Sequence, residues 1–470
     1  MSVKNIVLLP VIILFLILSG CSSSSVPEKT PEKKTQENTE VRNIPEEQKQ
    51  VNAADIINDF EKTLDYKTAL EELEKAGTEN LDDDSRLVYA VLLRNNGRLE
   101  DSEKELKTLI SHNSGNADAW FNLALTYYAA GKTDKMNEAL DETINTDPDY
   151  TEAWVMKGQL AAASSNTEKA ELYFRKALAI DADNADALGG LGWAVAKNGD
   201  KKEALELFNK AVQLDPENVY FRVDRSRVNV VLRNYNDAEK DLDFAISREP
   251  DNPWHYLDRA RIRLQYFKDY KGAREDLNMV EKLNPGNFFA IVYLAGLNDE
   301  ERKFDEAEKY YKQVVEIHPD YIWAYMPLGK FAWMRKNYPE AAKWFLKASA
   351  EDPDNFSLLL MAGLSRLYEG RKDEAEKLFY DNLKNFKQGE TAYEVIRFCA
   401  ERNSDFFAVS ALNKEQNENL REKLWFYMGA VYDFEGNSAG AQAAYERIAD
   451  RKGEMEYDLA WAELHGMNSR

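Results

Sequence analysis

The sequence predicts an all-α solenoid, and three residue series carry the prediction. Ala170, Ala204, Ala238, Ala273, Ala307, Ala341 and Ala375 recur every 34 residues with one 35-residue step. Ala90, Ala124, Gly158, Gly192, Ser226, Ala260, Ala295, Gly329 and Gly363 keep the same beat, as do Pro216, Pro250, Pro285, Pro319 and Pro353. Repetition at this period marks an architecture in which each unit buries its apolar face only against its neighbours.

Each part of the repeat has a physical reason. Apolar residues step by three and four, as one face of an α-helix requires. Breaks such as Asn198-Gly199 split the unit into two antiparallel helices. Where these cross, a bulky side chain would hold the backbones apart, so Gly192 on the first helix and Ala204 on the second are expected at the crossing. Proline near each unit's end lacks an N–H and clashes with the preceding turn, which stops the second helix. The extra residue of the 35-residue step lies between Ala260 and Ala273 and is expected in the inter-helix turn near Tyr266 to Tyr270.

At this point the chain closely resembles the tetratricopeptide repeat (TPR) family. In 117–150, Trp120, Leu123, Ala124, Tyr127, Leu140 and Pro148 follow that family's order of large, small, aromatic and proline positions; 322–355 repeats it with Tyr325, Leu328, Gly329, Ala341, Phe345, Ala348 and Pro353. The resemblance implies a right-handed superhelix of about eleven helical hairpins. Ten contiguous units are expected over 51–389, an irregular helical segment over 390–421, a further unit over 422–455, and a capping helix within 456–470.

The N-terminus has its own signature. Lys4 precedes an apolar run from Ile6 to Leu18, short for a membrane span of about 20 residues. Residues 1–20 therefore read as a signal peptide. Leu18-Ser19-Gly20-Cys21 resembles the bacterial lipoprotein signal, which implies diacylglycerol and a further acyl chain such as palmitate on Cys21. Two or more acyl chains anchor a protein stably where one does not. Residues 21–50 are Ser-, Pro-, Glu- and Lys-rich and are expected to form a disordered tether. A flexible tether of this length would have a root-mean-square span on the order of 30 Å.

Composition narrows the function. The formal charge is −22, and loss of residues 1–20 removes Lys4 to leave −23. Nucleic acid needs a basic counter-surface, so it is not an expected partner; flat binding to anionic lipid is disfavoured for the same reason. Cys399 is left without an intramolecular partner and reads as a small buried hydrophobe. His112, His255, His318 and His465 fall in separate units, without metal-ligand spacing, and neither a phosphate loop nor a serine elbow is present. No cofactor, metal, small-molecule substrate or catalytic residue is expected. Arg225 with Asp241 and Arg259 with Asp276 occupy matching places and are expected to pair within their repeats.

The family resemblance implies that the inner wall is lined by the first helix of each unit near its second, fifth, ninth and twelfth places. The candidates for peptide contact there are Phe121, Tyr128, Gln159, Trp193, Arg227, Arg261, Met326, Lys330 and Trp333, with Leu125, Val155, Val223, Leu257 and Leu364 beside them. An apolar, aromatic wall with three cations suits a peptide bearing apolar anchors and a carboxylate. The basic clamp that some relatives use for chaperone tails is absent, since its second places here include Asp118, Glu152 and Asp186. The expected function is a non-catalytic protein-binding scaffold at the bacterial envelope. By resemblance to enteric lipoproteins, Ser22 after the cysteine implies the outer membrane, with the solenoid expected to face the periplasm. The alternative is a surface adhesin with an extracellular ligand.

Overall fold

The computed structural model describes residues 56–57, 60, 65–403, 405–448 and 454–466. Cys21, the signal peptide and the tether lie outside the described residues. Among the described residues the regular elements are all helical and no strand forms. The chain divides into two compact units, 1–248 and 249–470.

In the first unit, α1 (Tyr66–Ala76) precedes five hairpins. These are α2 (Asp83–Asn95) with α3 (Leu99–His112), α4 (Ala117–Ala129) with α5 (Thr133–Thr146), and α6 (Thr151–Ala163) with α7 (Thr167–Ile180). Then follow α8 (Ala185–Asn198) with α9 (Lys201–Leu214) and α10 (Val219–Val231) with α11 (Tyr235–Arg248). Consecutive helices pack on one another throughout, as a solenoid requires.

The second unit begins with α12 (Pro253–Ile262) and α13 (Tyr270–Leu283), then α14 (Phe288–Glu300) with α15 (Phe304–Ile317). A 3₁₀ turn, Ile322–Ala324, leads into α16 (Tyr325–Met334), which pairs with α17 (Tyr338–Glu351); α18 (Phe356–Tyr368) pairs with α19 (Lys372–Leu383). The stretch expected to be irregular holds a shortened hairpin, α20 (Thr391–Glu401) and α21 (Phe406–Leu412). After it come α22 (Glu418–Phe434), α23 (Ser438–Tyr445) and the closing helix α24 (Met455–His465).

Local chemistry sets the ends of these helices. Asn116, Asn184, Asn218, Asn252 and Asn287 precede first helices, and each side-chain oxygen accepts from a backbone N–H of the opening turn. Second helices stop at Leu214, Arg248, Leu283, Ile317 and Glu351, two residues before each periodic proline. Between paired helices one residue takes a left-handed conformation. Gly97, Gly131, Ser165, Gly199 and Arg233 do so in the first unit, and Lys268, Arg302, Lys336, Gly370, Arg402 and Gly436 in the second. This is a fourth periodic series, hidden in sequence because its side chains differ.

Most helix crossings follow a size rule, Ala295 with Tyr311 being the exception in the same register. A Cβ added to Gly158, Gly329 or Gly363 would come within 2.4–2.8 Å of Phe174, Phe345 or Phe379, and one on Gly429 would lie 2.5 Å from Tyr445. In the same 16-residue register, Ala90, Ala124 and Ser226 correspond to the smaller Leu106, Leu140 and Leu242, all of them buried. Glycine with an aromatic ring, or a small side chain with leucine, fills the same gap at interior density.

The extra residue of the 35-residue step does not enlarge the loop as expected. It is absorbed by a π-helical turn, Arg263–Phe267, at the end of α12. A π turn holds one more residue than an α turn, so the insertion widens the helix end without rotating the buried face upstream.

Candidate functional site

The wall positions separate into buried and accessible sets. Phe121 is buried, its ring 4.9 Å from that of Tyr150. Gln159 is wholly buried, and among the described residues neither its amide nitrogen nor its amide oxygen has a hydrogen-bond partner. Leaving such a group unpaired costs about 1–3 kcal/mol. Tyr128 and Trp193 are half-buried on the neighbouring first helices, with Lys197 Nζ 5.8 Å from the Trp193 ring. Leu125, Val155 and Val223 are buried.

Arg227 and Arg261 are exposed, and each leans back on its own helix, to Asp224 at 2.7 Å and Asp258 at 3.2 Å. Met326 is half-buried, and Leu257 and Leu364 are buried. Lys330 and Trp333 depart from the expectation of an open wall: both are 2% exposed. Lys330 Nζ donates to Asp299 at 2.5 Å and to Asp458 of α24 at 2.9 Å. The Trp333 ring lies edge-on to Tyr338 and Tyr368, 5.1 Å from each. Both residues are thus packed within the second unit, like Phe121 and Gln159 in the first, and present almost no surface to a partner.

Three exposed aromatic residues outside the candidate set stand at the second place of three consecutive repeats. Trp254, Phe289 and Trp323 are 38%, 51% and 72% exposed. The Trp254 and Phe289 rings meet edge to face at 6.4 Å, and Phe288 sits 5.7 Å from Phe289. Their spacing of 35 and 34 residues follows the repeat, which is the signal that marks them in sequence. In the first unit that place holds Asp84, Asp118, Glu152 and Asp186, and then Tyr220. Burial, aided by the charge of Asp215, raises the Asp186 carboxyl to about 6.

Other titratable groups are structural. Arg225 grips Asp241 with two hydrogen bonds of 2.9 and 2.6 Å, and Arg259 grips Asp276 at 3.0 and 2.6 Å. Both carboxylates are buried, so the pairs fix helix register inside their repeats. Arg263, on the π turn, adds a bond of 3.0 Å to Asp276. Cys399 is buried and its thiol is pushed up to about 12, which leaves it unreactive. Among the described residues no group of three or more His, Cys, Asp or Glu could hold a metal, and no helix is long and apolar enough to cross a membrane.

Comparison with known proteins gives the same repeat. A family model described as tetratricopeptide repeat matches residues 87–135, 137–185 and 155–219, and a second so described matches 300–364. Similar solved structures include pilF of Pseudomonas aeruginosa, at 21% identity over 43% of this chain and 92% of that one, with a TM-score of 0.39. PilW, described as a widely conserved type IV pilus biogenesis factor, is 17% identical over 43% of this chain and 94% of that one, with a TM-score of 0.40. YrrB, described as a TPR protein with an unusual peptide-binding site, is 18% identical over 40% and 96%, with a TM-score of 0.36. With family matches falling on hairpins whose caps, turns and crossings recur at the same interval, the chain carries tetratricopeptide repeats over these residues.

Proposed function

We propose that this protein is a non-catalytic scaffold that binds segments of other polypeptides along the first helices of its repeats, held at the bacterial envelope by lipid on Cys21. The observation that carries the binding reading is the row of Trp254, Phe289 and Trp323, three large aromatic side chains left exposed at one place of consecutive repeats. Clustered exposed apolar surface marks interaction sites, and aromatic residues supply large contact area at small entropic cost. The lipid reading is supported by Leu18-Ser19-Gly20-Cys21 at the end of an apolar run.

The test is crosslinking from envelope fractions with the wild type and a Trp254→Ala/Phe289→Ala/Trp323→Ala variant. The variant is expected to keep its helical circular dichroism and lose captured partners. Undiminished capture would overturn the reading. Cys21→Ser, run alongside, is expected in the soluble fraction, and persistent membrane residence would count against the anchor.

A further inference from the structure

The closing helix α24 does more than cover the last hairpin. It packs on α22 and α23 and also reaches back to α16, where Lys330 and Trp333 occupy inner-wall places. Asp458 is fully buried, accepting from Lys330 at 2.9 Å and from Arg302 Nε at 3.1 Å, across 128 and 156 residues of chain. Three residues further along α24, the Trp461 ring lies 4.8 Å from the Arg302 guanidinium and 6.2 Å from the Phe304 ring. On another side, Tyr427 donates to Glu456 at 2.7 Å and Tyr457 donates to Glu422 at 2.9 Å.

A cap needs only apolar contact, and well-packed hydrophobic residues are often as stabilising as a buried ion pair or more so. Two cations aimed at one carboxylate therefore select a helix rather than merely cover one. On this helix Asp458 and Trp461 meet the seat, where Arg302 and Lys330 stand beside Asp299, which accepts from Lys330 at 2.5 Å, in a chain whose net charge is strongly negative. Nine residues, 446–454, join α23 to α24, so the seat sees its own helix at an effective concentration on the order of millimolar. The last turn, Glu463 to His465, is exposed, which offers an edge from which the helix can peel away.

We propose that the Arg302–Lys330 seat is a binding site for an acidic, tryptophan-bearing helix, that α24 is its internal occupant, and that a partner helix of the same pattern takes its place. This rests on the polypeptide-binding reading above but uses different residues, so the aromatic-row experiment and this one can fail separately.

The probe is a labelled synthetic peptide of residues 454–466, titrated against the full chain. Apparent affinity is reduced by the fraction of molecules whose seat is open. Asp458→Asn/Trp461→Ala, which loosens α24 in place, is expected to bind the peptide at least about ten-fold tighter than the wild type. Adding Lys330→Met should remove that gain. A folded variant that binds no tighter than the wild type overturns the proposal. Should the variant not fold, hydrogen exchange on the wild type decides: α24 amides exchanging at least about ten-fold faster than those of α16 and α22 support it, and equal protection overturns it.

Discussion

The second place of each repeat changes chemistry along the chain. In the unit ending at 248 it holds Asp84, Asp118, Glu152 and Asp186 before Tyr220, whereas the unit beginning at 249 opens with Trp254, Phe289 and Trp323 before Ser357. At the crossings the two are alike: Gly158 meets Phe174 in one unit as Gly363 meets Phe379 in the other. The comparison teaches which positions the repeat constrains. Crossing, cap and turn places are set by backbone approach and helix ends, which every repeat shares. Places that stay exposed, such as Trp254, Phe289 and Trp323, escape that constraint and can diverge toward a partner.

The largest test of this division concerns the buried ion pairs, which both units share but the second elaborates. Asp276 answers Arg259 and also Arg263, while Asp241 answers Arg225, with Arg222 more distant at 3.8 Å. Removing one partner of a buried pair costs about 3–5 kcal/mol. Asp276→Ala is expected at the upper end and Asp241→Ala at the lower, by urea unfolding. Equal losses would show that the π-turn arginine adds no stability.

Next come the crossings. Gly158→Ala and Gly363→Ala should each destabilise by about 1–3 kcal/mol, because the new methyl overlaps a phenylalanine ring. Phe379→Leu added to Gly363→Ala recreates the alanine–leucine pairing seen at Ala124 and Leu140, and should recover much of the loss. A double variant no better than the single would refute the size rule.

The smallest effect is expected at Asp186. Its folded pKa of about 6 lies above the unfolded value, so the folded state holds its proton more tightly. The stabilisation this provides is complete below about pH 4 and is lost as pH rises through 6. Asp186→Asn should therefore be more stable than the wild type at pH 7, on the order of 1 kcal/mol after allowing for solvent screening at this partly exposed group, and should show a flatter profile between pH 4 and 7. Unfolding midpoints across that range measure it. In the second unit, Trp254, Phe289 and Trp323 at the equivalent place offer no carboxylate to titrate.

Much of this was legible before any coordinates. The Ala, Gly and Pro series locate the hairpins and their stops, and the matched Arg and Asp residues pair as their spacing implies. Lys330 was not legible as a buried residue. Its ninth-place position predicts an accessible wall, and the residue that covers it, Asp458, is 128 positions away in a stretch that reads only as a cap. Phe121 and Gln159 show the same gap: periodicity says which helix face a residue is on, and neighbouring helices decide how deep it sits.

The sequence by itself determined the repeat, because helix period, steric size at a crossing and the missing N–H of proline act within a few tens of residues. Only the tertiary structure decided which wall positions stay open, since that depends on whether a distant helix returns to cover them. It also decided how the extra residue near 263 is absorbed, because a π turn and a longer loop satisfy the same spacing and differ only in what packs around them.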